Sequence, residues 1–255
     1  MPFTPSAIFD IAVLEADDIA GIDGDAVSLW TAQSGSISVS PFQSTSNKQP
    51  VLKKGANGLN SKNIVLFDIG DVDGIPNNLV FGDLTELDFG TGAFSIFAVV
   101  RATTSTGAWL CKDNSDGLDN GIFFYSSGGN FSYYNGTAGI TIGTSDSSYH
   151  LLGVTRASTA ANALIPYYDG TAATSGTESR TLSNAKTCRI GNSSDETYPM
   201  DGKIAAIYIA SSVPSTANRN AFGGYIQTKY GLTIAGATFD AGTVIEVQTA
   251  VTNVP

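Results

Sequence analysis

Phe94-Ser95-Ile96-Phe97-Ala98-Val99-Val100-Arg101, closed by the turn-forming stretch Thr103 to Gly107, decides how the chain is read. It is a short, β-branched and aromatic run bounded by small polar residues, which is the pattern of a buried strand. The same pattern recurs on both sides of it. Leu79-Val80-Phe81 stops at Gly82-Asp83, and Trp109 to Lys112 stops at Asp113-Asn114. Ile122 to Tyr125 stops at Ser126-Ser127-Gly128-Gly129, and Phe131 to Tyr134 stops at Asn135-Gly136, a hairpin signal. His150 to Arg156, Ala163 to Tyr168 before Asp169-Gly170, Arg189-Ile190 and Lys203 to Ala210 complete the series. Strands this short and this regularly punctuated, with no helices between them, predict an all-β antiparallel sandwich rather than a parallel βαβ sheet.

Composition agrees. Among 255 residues there are 28 Gly and only five Glu, at positions 15, 86, 178, 196 and 246. Charged residues make up 14%, against roughly 25% in ordinary soluble proteins. The net charge of −10 repels nucleic acid and anionic membranes, so neither is an expected partner. No apolar run approaches a membrane span. Six acidic residues precede the first basic one, Lys48, so the start lacks the positive segment of a secretory signal. The expectation is a soluble protein made in a cytoplasm.

Two helical segments are expected. Ser215 or Thr216 caps the first, Phe222, Tyr225, Ile226 and Tyr230 form its apolar stripe, and Gly231 stops it. A weaker helical turn is expected around Ile8 to Ala16. The chain divides into a sandwich over 1–232 and an extension over 233–255, whose Val244, Ile245 and Val247 form an expected interaction arm along a sheet edge or a neighbouring subunit.

In order along the chain, several short motifs resemble the concanavalin A-like, laminin G-like jelly-roll family in its bacterial and phage form. Asp23-Gly24-Asp25-Ala26-Val27-Ser28-Leu29-Trp30 with Ser34-Gly35 is similar to the family's opening. Gln49-Pro50-Val51-Leu52, Gly58-Leu59-Asn60 and Val65-Leu66-Phe67-Asp68 resemble the next stretch, with Ile69 where the family has Gly. Tyr149-His150-Leu151-Leu152-Gly153-Val154-Thr155, Tyr167-Tyr168-Asp169-Gly170, Ile190-Gly191, Asp201-Gly202-Lys203-Ile204 and Tyr225 to Leu232 resemble the remainder. The resemblance implies a jelly-roll β-sandwich with a C-terminal helix. It does not imply one function, because this fold carries lectins, polysaccharide hydrolases and structural modules.

Candidate chemistry is sparse. His150 is the sole histidine, and no Gly-x-Ser-x-Gly, His-Glu-x-x-His, P-loop or Gly-x-Gly-x-x-Gly occurs. Glycoside hydrolysis requires a pair of carboxylates across the scissile bond. Glu86-Leu87-Asp88 supplies the first two acids of a glucanase-type strand motif but not the last Glu. No catalytic residues are therefore assigned. Asp68, Asp71, Asp73 and Asn77 are candidate calcium ligands by their oxygen density, and ordinary Asx turns explain the same residues. Asp113 to Asp119 is a second such loop. Tyr125, Tyr133 and Tyr134, with Asp113 and Asn114 beside them, are candidate carbohydrate contacts, since sugar rings stack on exposed aromatic faces; core packing is the competing use. Cys111 and Cys188 are either small buried hydrophobes or a disulfide, with alternation placing Cys111 on the same face as Trp109.

The functional expectation is a non-catalytic structural or binding protein, first a phage virion component such as a capsid decoration or tail accessory protein on the virion surface. Its partners would then be capsid or tail protein, further copies of itself, or glycan. The alternative is a carbohydrate-binding module for a surface polysaccharide, with or without calcium. A glycoside hydrolase is the remote reading.

Overall fold

The strand-forming runs assemble into two antiparallel sheets that pack face to face, a jelly-roll β-sandwich with one helix near its C-terminus. The structure is a computed structural model and describes residues 3–69, 74–102 and 106–237. Asp71 and Asp73, and the arm residues Val244, Ile245 and Val247, lie outside the described residues.

The first sheet contains β1 (Ala12–Glu15), β2 (Val51–Gly55), β3 (Ser61–Phe67), β5 (Phe94–Ala102), β10 (His150–Arg156), β11 (Leu164–Tyr168), β12 (Thr171–Ala172) and β14 (Gly202–Ala210). Its order is β12-β11-β10-β5-β14-β3-β2, with β1 also pairing with β14. The second sheet has six strands in the order β4-β13-β6-β7-β8-β9. These are β4 (Leu79–Asp83), β6 (Gly107–Cys111), β7 (Phe123–Ser127), β8 (Asn130–Tyr134), β9 (Gly139–Thr144) and β13 (Thr187–Ile190). Two of the turns foreseen from sequence have positive φ at both central residues, Gly128-Gly129 and Asp169-Gly170. They join β7 to β8 and β11 to β12 as two-residue hairpins, where that backbone hand matches the strand twist.

Phe94, Ile96, Ala98 and Val100 of β5 face the core between the sheets, along with Trp30, Trp109, Phe124 and Tyr133. The other face of β5, Phe97 and Val99, packs under helix α1 (Thr216–Tyr230) through Phe222, Ile226 and Tyr230. Ser215 Oγ accepts the Asn218 N–H as the cap, and Gly231 closes the helix in the left-handed region at φ 71°. Buried Glu15 ties the helix to the sheet, accepting from Tyr208 and Tyr225 at 2.6 Å and pairing with Lys229 at 2.7 Å.

Two expectations are corrected. The turn around Ile8 to Ala16 is not an α-helix: a 3-10 turn at Pro5–Ala7 leads into β1. All four β1 residues are buried, with Ala12 and Leu14 facing one core and Val13 the other. A run apolar on both faces carries no period from which strand and helix are told apart. Cys111 and Cys188 are free thiols, both buried. A β-bulge at Ala108/Leu110 puts Trp109 and Leu110 together in the core and turns Cys111 to the opposite face, while Cys188 stays in the core.

Candidate functional site

Helix α1 covers the outer face of the eight-stranded sheet, but among the described residues no further layer packs on the outer face of the six-stranded sheet. Tyr125 stands opposite Ser132 and Tyr134 opposite Gly139, so both tyrosines project outward from neighbouring strands. Phe123, two residues before Tyr125, forms a buried floor. Tyr198, from the loop after β13, stands edge-on to Phe123 at 5.7 Å and to Tyr125 at 6.1 Å between ring centroids. The half-buried rings of Tyr125, Tyr134 and Tyr198 thus form one aromatic cluster on an open sheet face. Gly139 leaves room for the Tyr125 hydroxyl, since a Cβ there would lie 2.3 Å from it. Burial, then neighbouring Tyr198, raises the Tyr125 phenol above its ordinary value. A groove of about 410 Å3 runs alongside, lined by Ile69, Gly107, Tyr198 and Pro199.

Tyr133 corrects the sequence reading. Its cross-strand partner is Phe124, and both rings face the core 5.0 Å apart. The Tyr133 hydroxyl donates to Glu178 at 2.7 Å, with both residues fully buried, so it offers no surface to a ligand. Asp113 is likewise fully buried and does not reach outward. Its Oδ1 accepts the N–H groups of Asn114 and Asp119, and its Oδ2 that of Gly121, so it folds its own loop. Burial nevertheless raises its carboxyl above the usual range. Asn114 is half-buried, and its carbonyl accepts from Gly117.

Arg180 locks this loop to the aromatic face. It pairs with Glu178 at 2.7 Å, donates to the Gly117 and Tyr134 carbonyls at 3.1 and 2.8 Å, and lies 3.6 Å from Asp113. Neither Arg180 nor Tyr198 was singled out from sequence. Both sit in connections, where no strand period marks which side chain turns inward.

Carboxylate oxygens of Asp113, Asp116 and Asp119 approach within 4.8 Å of one another. Calcium fits this trio poorly. The Asp113 oxygens are already filled by backbone N–H groups with a guanidinium nearby, and Asp119 pairs with Lys186 at 3.3 Å. Of the other expected ligands, Asp68 and Asn77 are joined through backbone, the Asn77 N–H donating to the Asp68 carbonyl.

Glu86 lies in the 3-10 turn Thr85–Leu87 rather than on a strand, and accepts the Ser38 N–H at 2.7 Å. Asp88 is bound to Lys112 at 2.6 Å. The spacing that mimics a strand motif therefore does not put these two acids on one strand face. His150 has both ring nitrogens engaged, Nδ1 with Asp169 at 2.7 Å and Nε2 with Asp146 at 2.9 Å, while Tyr168 stacks on it. Burial alone would lower its pKa, but the two carboxylates outweigh that and raise it above 6.5.

No family model matches the chain, and no curated protein matches it. Solved structures do share the sandwich. A sialidase of Trypanosoma rangeli, in complex with 2,3-difluorosialic acid, is similar over 87% of this chain and 33% of its own, at 13% identity and a TM-score of 0.53. The binding domain of botulinum neurotoxin DC, in complex with rat synaptotagmin II, is similar over 86% of this chain and 52% of its own, at 14% identity and a TM-score of 0.51. A GH54 α-L-arabinofuranosidase is similar over 87% of this chain and 64% of its own, at 12% identity and a TM-score of 0.51. The chain thus spans between a third and two thirds of these proteins. At such identities the likeness is one of fold.

Proposed function

We propose that this chain is a non-catalytic binding module of the concanavalin A-like, laminin G-like type, and that its ligand is a carbohydrate laid on the open face of the six-stranded sheet. One observation carries the reading: Tyr125, Tyr134 and Tyr198 cluster on the sheet face that no other layer covers among the described residues, beside a groove of about 410 Å3. Rigid aromatic rings supply apolar stacking area at low entropic cost, and their hydroxyls supply directional hydrogen bonds. The binding-without-catalysis reading is supported by the engagement of both His150 nitrogens and by the placement of Glu86 in a turn. Binding domains and glycosidases both occur among the sandwich neighbours, so the fold leaves the choice to the site.

A glycan array probed with the full chain tests this. Binding to a defined saccharide is expected, with loss in Tyr125→Ser and Tyr198→Ser variants that melt as wild type does. Absence of binding to any saccharide, or binding unchanged in both variants, would refute it. A chelator arm reads calcium dependence. The virion setting and self-association foreseen from sequence are separate proposals, read by detection of the chain in purified particles and by its mass in solution.

A further inference from the structure

The chain carries 13 Lys and Arg against 23 Asp and Glu, so a cation without an acidic partner is conspicuous. Most of the basic side chains pair with carboxylates, such as Lys48, Lys62, Lys112, Arg180, Arg189 and Lys229. Arg156, Arg219 and Lys54 donate to backbone carbonyls instead. Lys53, Arg101 and Lys203 make no ion pair or side-chain hydrogen bond among the described residues, and all three line one cavity of about 350 Å3.

That placement is unfavourable in itself. Lys203 and Arg101 stand directly opposite each other on β14 and β5, a like-charge cross-strand pair. Lys53 joins them from β2. Burial lowers the Lys203 pKa, and Arg101 and Lys53 lower it further. Two buried donors meet there. Among the described residues neither Arg101 Nε nor the Tyr149 hydroxyl has a hydrogen-bond partner, and the guanidinium lies 5.9 Å from the centre of the Tyr149 ring. Asn57 lines the wall too, its side-chain amide donating to Asp23 at 2.8 Å, and Lys53 acts on the same carboxylate from a greater distance. Three cations and a phenol thus converge on a space that no carboxylate lines among the described residues.

We propose that this pocket binds a single oxyanion group (carboxylate, sulfate or phosphate) carried by a small and otherwise uncharged ligand. An oxyanion would satisfy the Arg101 and Tyr149 donors and reverse the sign of the Lys203–Arg101 interaction from repulsion to bridging. A polyanion fits poorly, because the net charge of −10 repels it over the rest of the surface. The site lies on the eight-stranded sheet and is independent of the aromatic face of the other sheet.

Calorimetric titration of the full chain at constant ionic strength tests it, with sodium sulfate, inorganic phosphate, glucuronic acid and neutral glucose as probes. Sulfate, phosphate or glucuronate should bind while glucose does not. Equal affinity for sulfate and glucuronate marks a site that reads the anion alone, and tighter glucuronate marks one that reads an acidic sugar. Lys203→Gln and Arg101→Gln should each weaken binding by about tenfold or more, as loss of a charge-assisted contact does, while Lys54→Gln leaves it unchanged. Without anion, Lys203→Gln should melt higher than wild type, a result that a purely structural lysine does not give. No oxyanion binding at tens of millimolar, or wild-type affinity in both pocket variants, would overturn the proposal.

Discussion

Replacing Arg180 by Met isolates the contact that holds the Asp113 to Gly121 loop against the aromatic face. Three acceptors lose their donor at once: the Glu178 carboxylate and the carbonyls of Gly117 and Tyr134. Glu178 is fully buried, so its charge is left with the Tyr133 hydroxyl and the backbone N–H of residue 180. Stranding one member of a buried ion pair costs about 3–5 kcal/mol, a large share of a typical stability of about 5–15 kcal/mol. At about 2–4 °C per kcal/mol for a chain of this size, the melting midpoint falls by roughly 10 °C. Glu178→Gln alone should cost less, about 1–2 kcal/mol, because the guanidinium keeps its two carbonyls. The double variant should then be more stable than the sum of the singles by about 2 kcal/mol, the coupling of a true pair. Chemical denaturation of the four proteins measures the cycle, and amide exchange of residues 114–121 reports the loop directly. An Arg180→Met cost under about 1 kcal/mol, or additive singles, would show that the pair is a bystander.

The remaining outcomes follow from other parts of the molecule. His150 has a raised pKa in the fold, so its clamp contributes fully below the unfolded value of about 6.5 and is lost as pH rises through the folded value. The stability difference between wild type and His150→Gln should therefore shrink from pH 6 toward higher pH, and a flat difference would exclude the clamp. Glu15→Gln, which disturbs a buried carboxylate bonded to two tyrosines and Lys229, should cost about 3 kcal/mol in denaturation. Truncation after Leu232 removes the buried Ile234 side chain and should cost about 2–3 kcal/mol more than truncation after Ala237, which keeps it. Two free thiols should be counted after unfolding without reductant, and neither should react readily in the folded chain, because both are buried.

How far the fold could be read in advance depended on what each segment packs against. Two-residue turns were legible because Gly128-Gly129 and Asp169-Gly170 demand backbone that few residues adopt. Helix α1 was legible because one face meets Phe9, Phe97 and Tyr208 and the other meets water, which imposes a period. The β1 strand was not, since it is enclosed on both sides and its partner β14 lies almost two hundred residues away. Local sequence holds no record of a pairing at that distance.

The candidate site fails to announce itself for a related reason. Along Ala108-Trp109-Leu110-Cys111, strict alternation would put Trp109 and Cys111 on one face, but the bulge places Ala108 and Cys111 outward and Trp109 and Leu110 inward. That extra residue puts the small side chains of Ala108 and Cys111 beside Phe123, beneath the outward tyrosines. Tyr133 and Tyr134 are adjacent and chemically identical, yet one is a core residue bound to Glu178 and the other a surface ring capped by Gly117. What separates them is register against Phe124 and Gly139, set by strands that precede and follow. A single-residue slip of β8 would exchange the faces of the two rings, burying Tyr134 and turning Tyr133 outward, away from Glu178. The buried Tyr133–Glu178–Arg180 chain is therefore the device that fixes the outward tyrosine, and the face proposed to hold a ligand depends on polar contacts made underneath it.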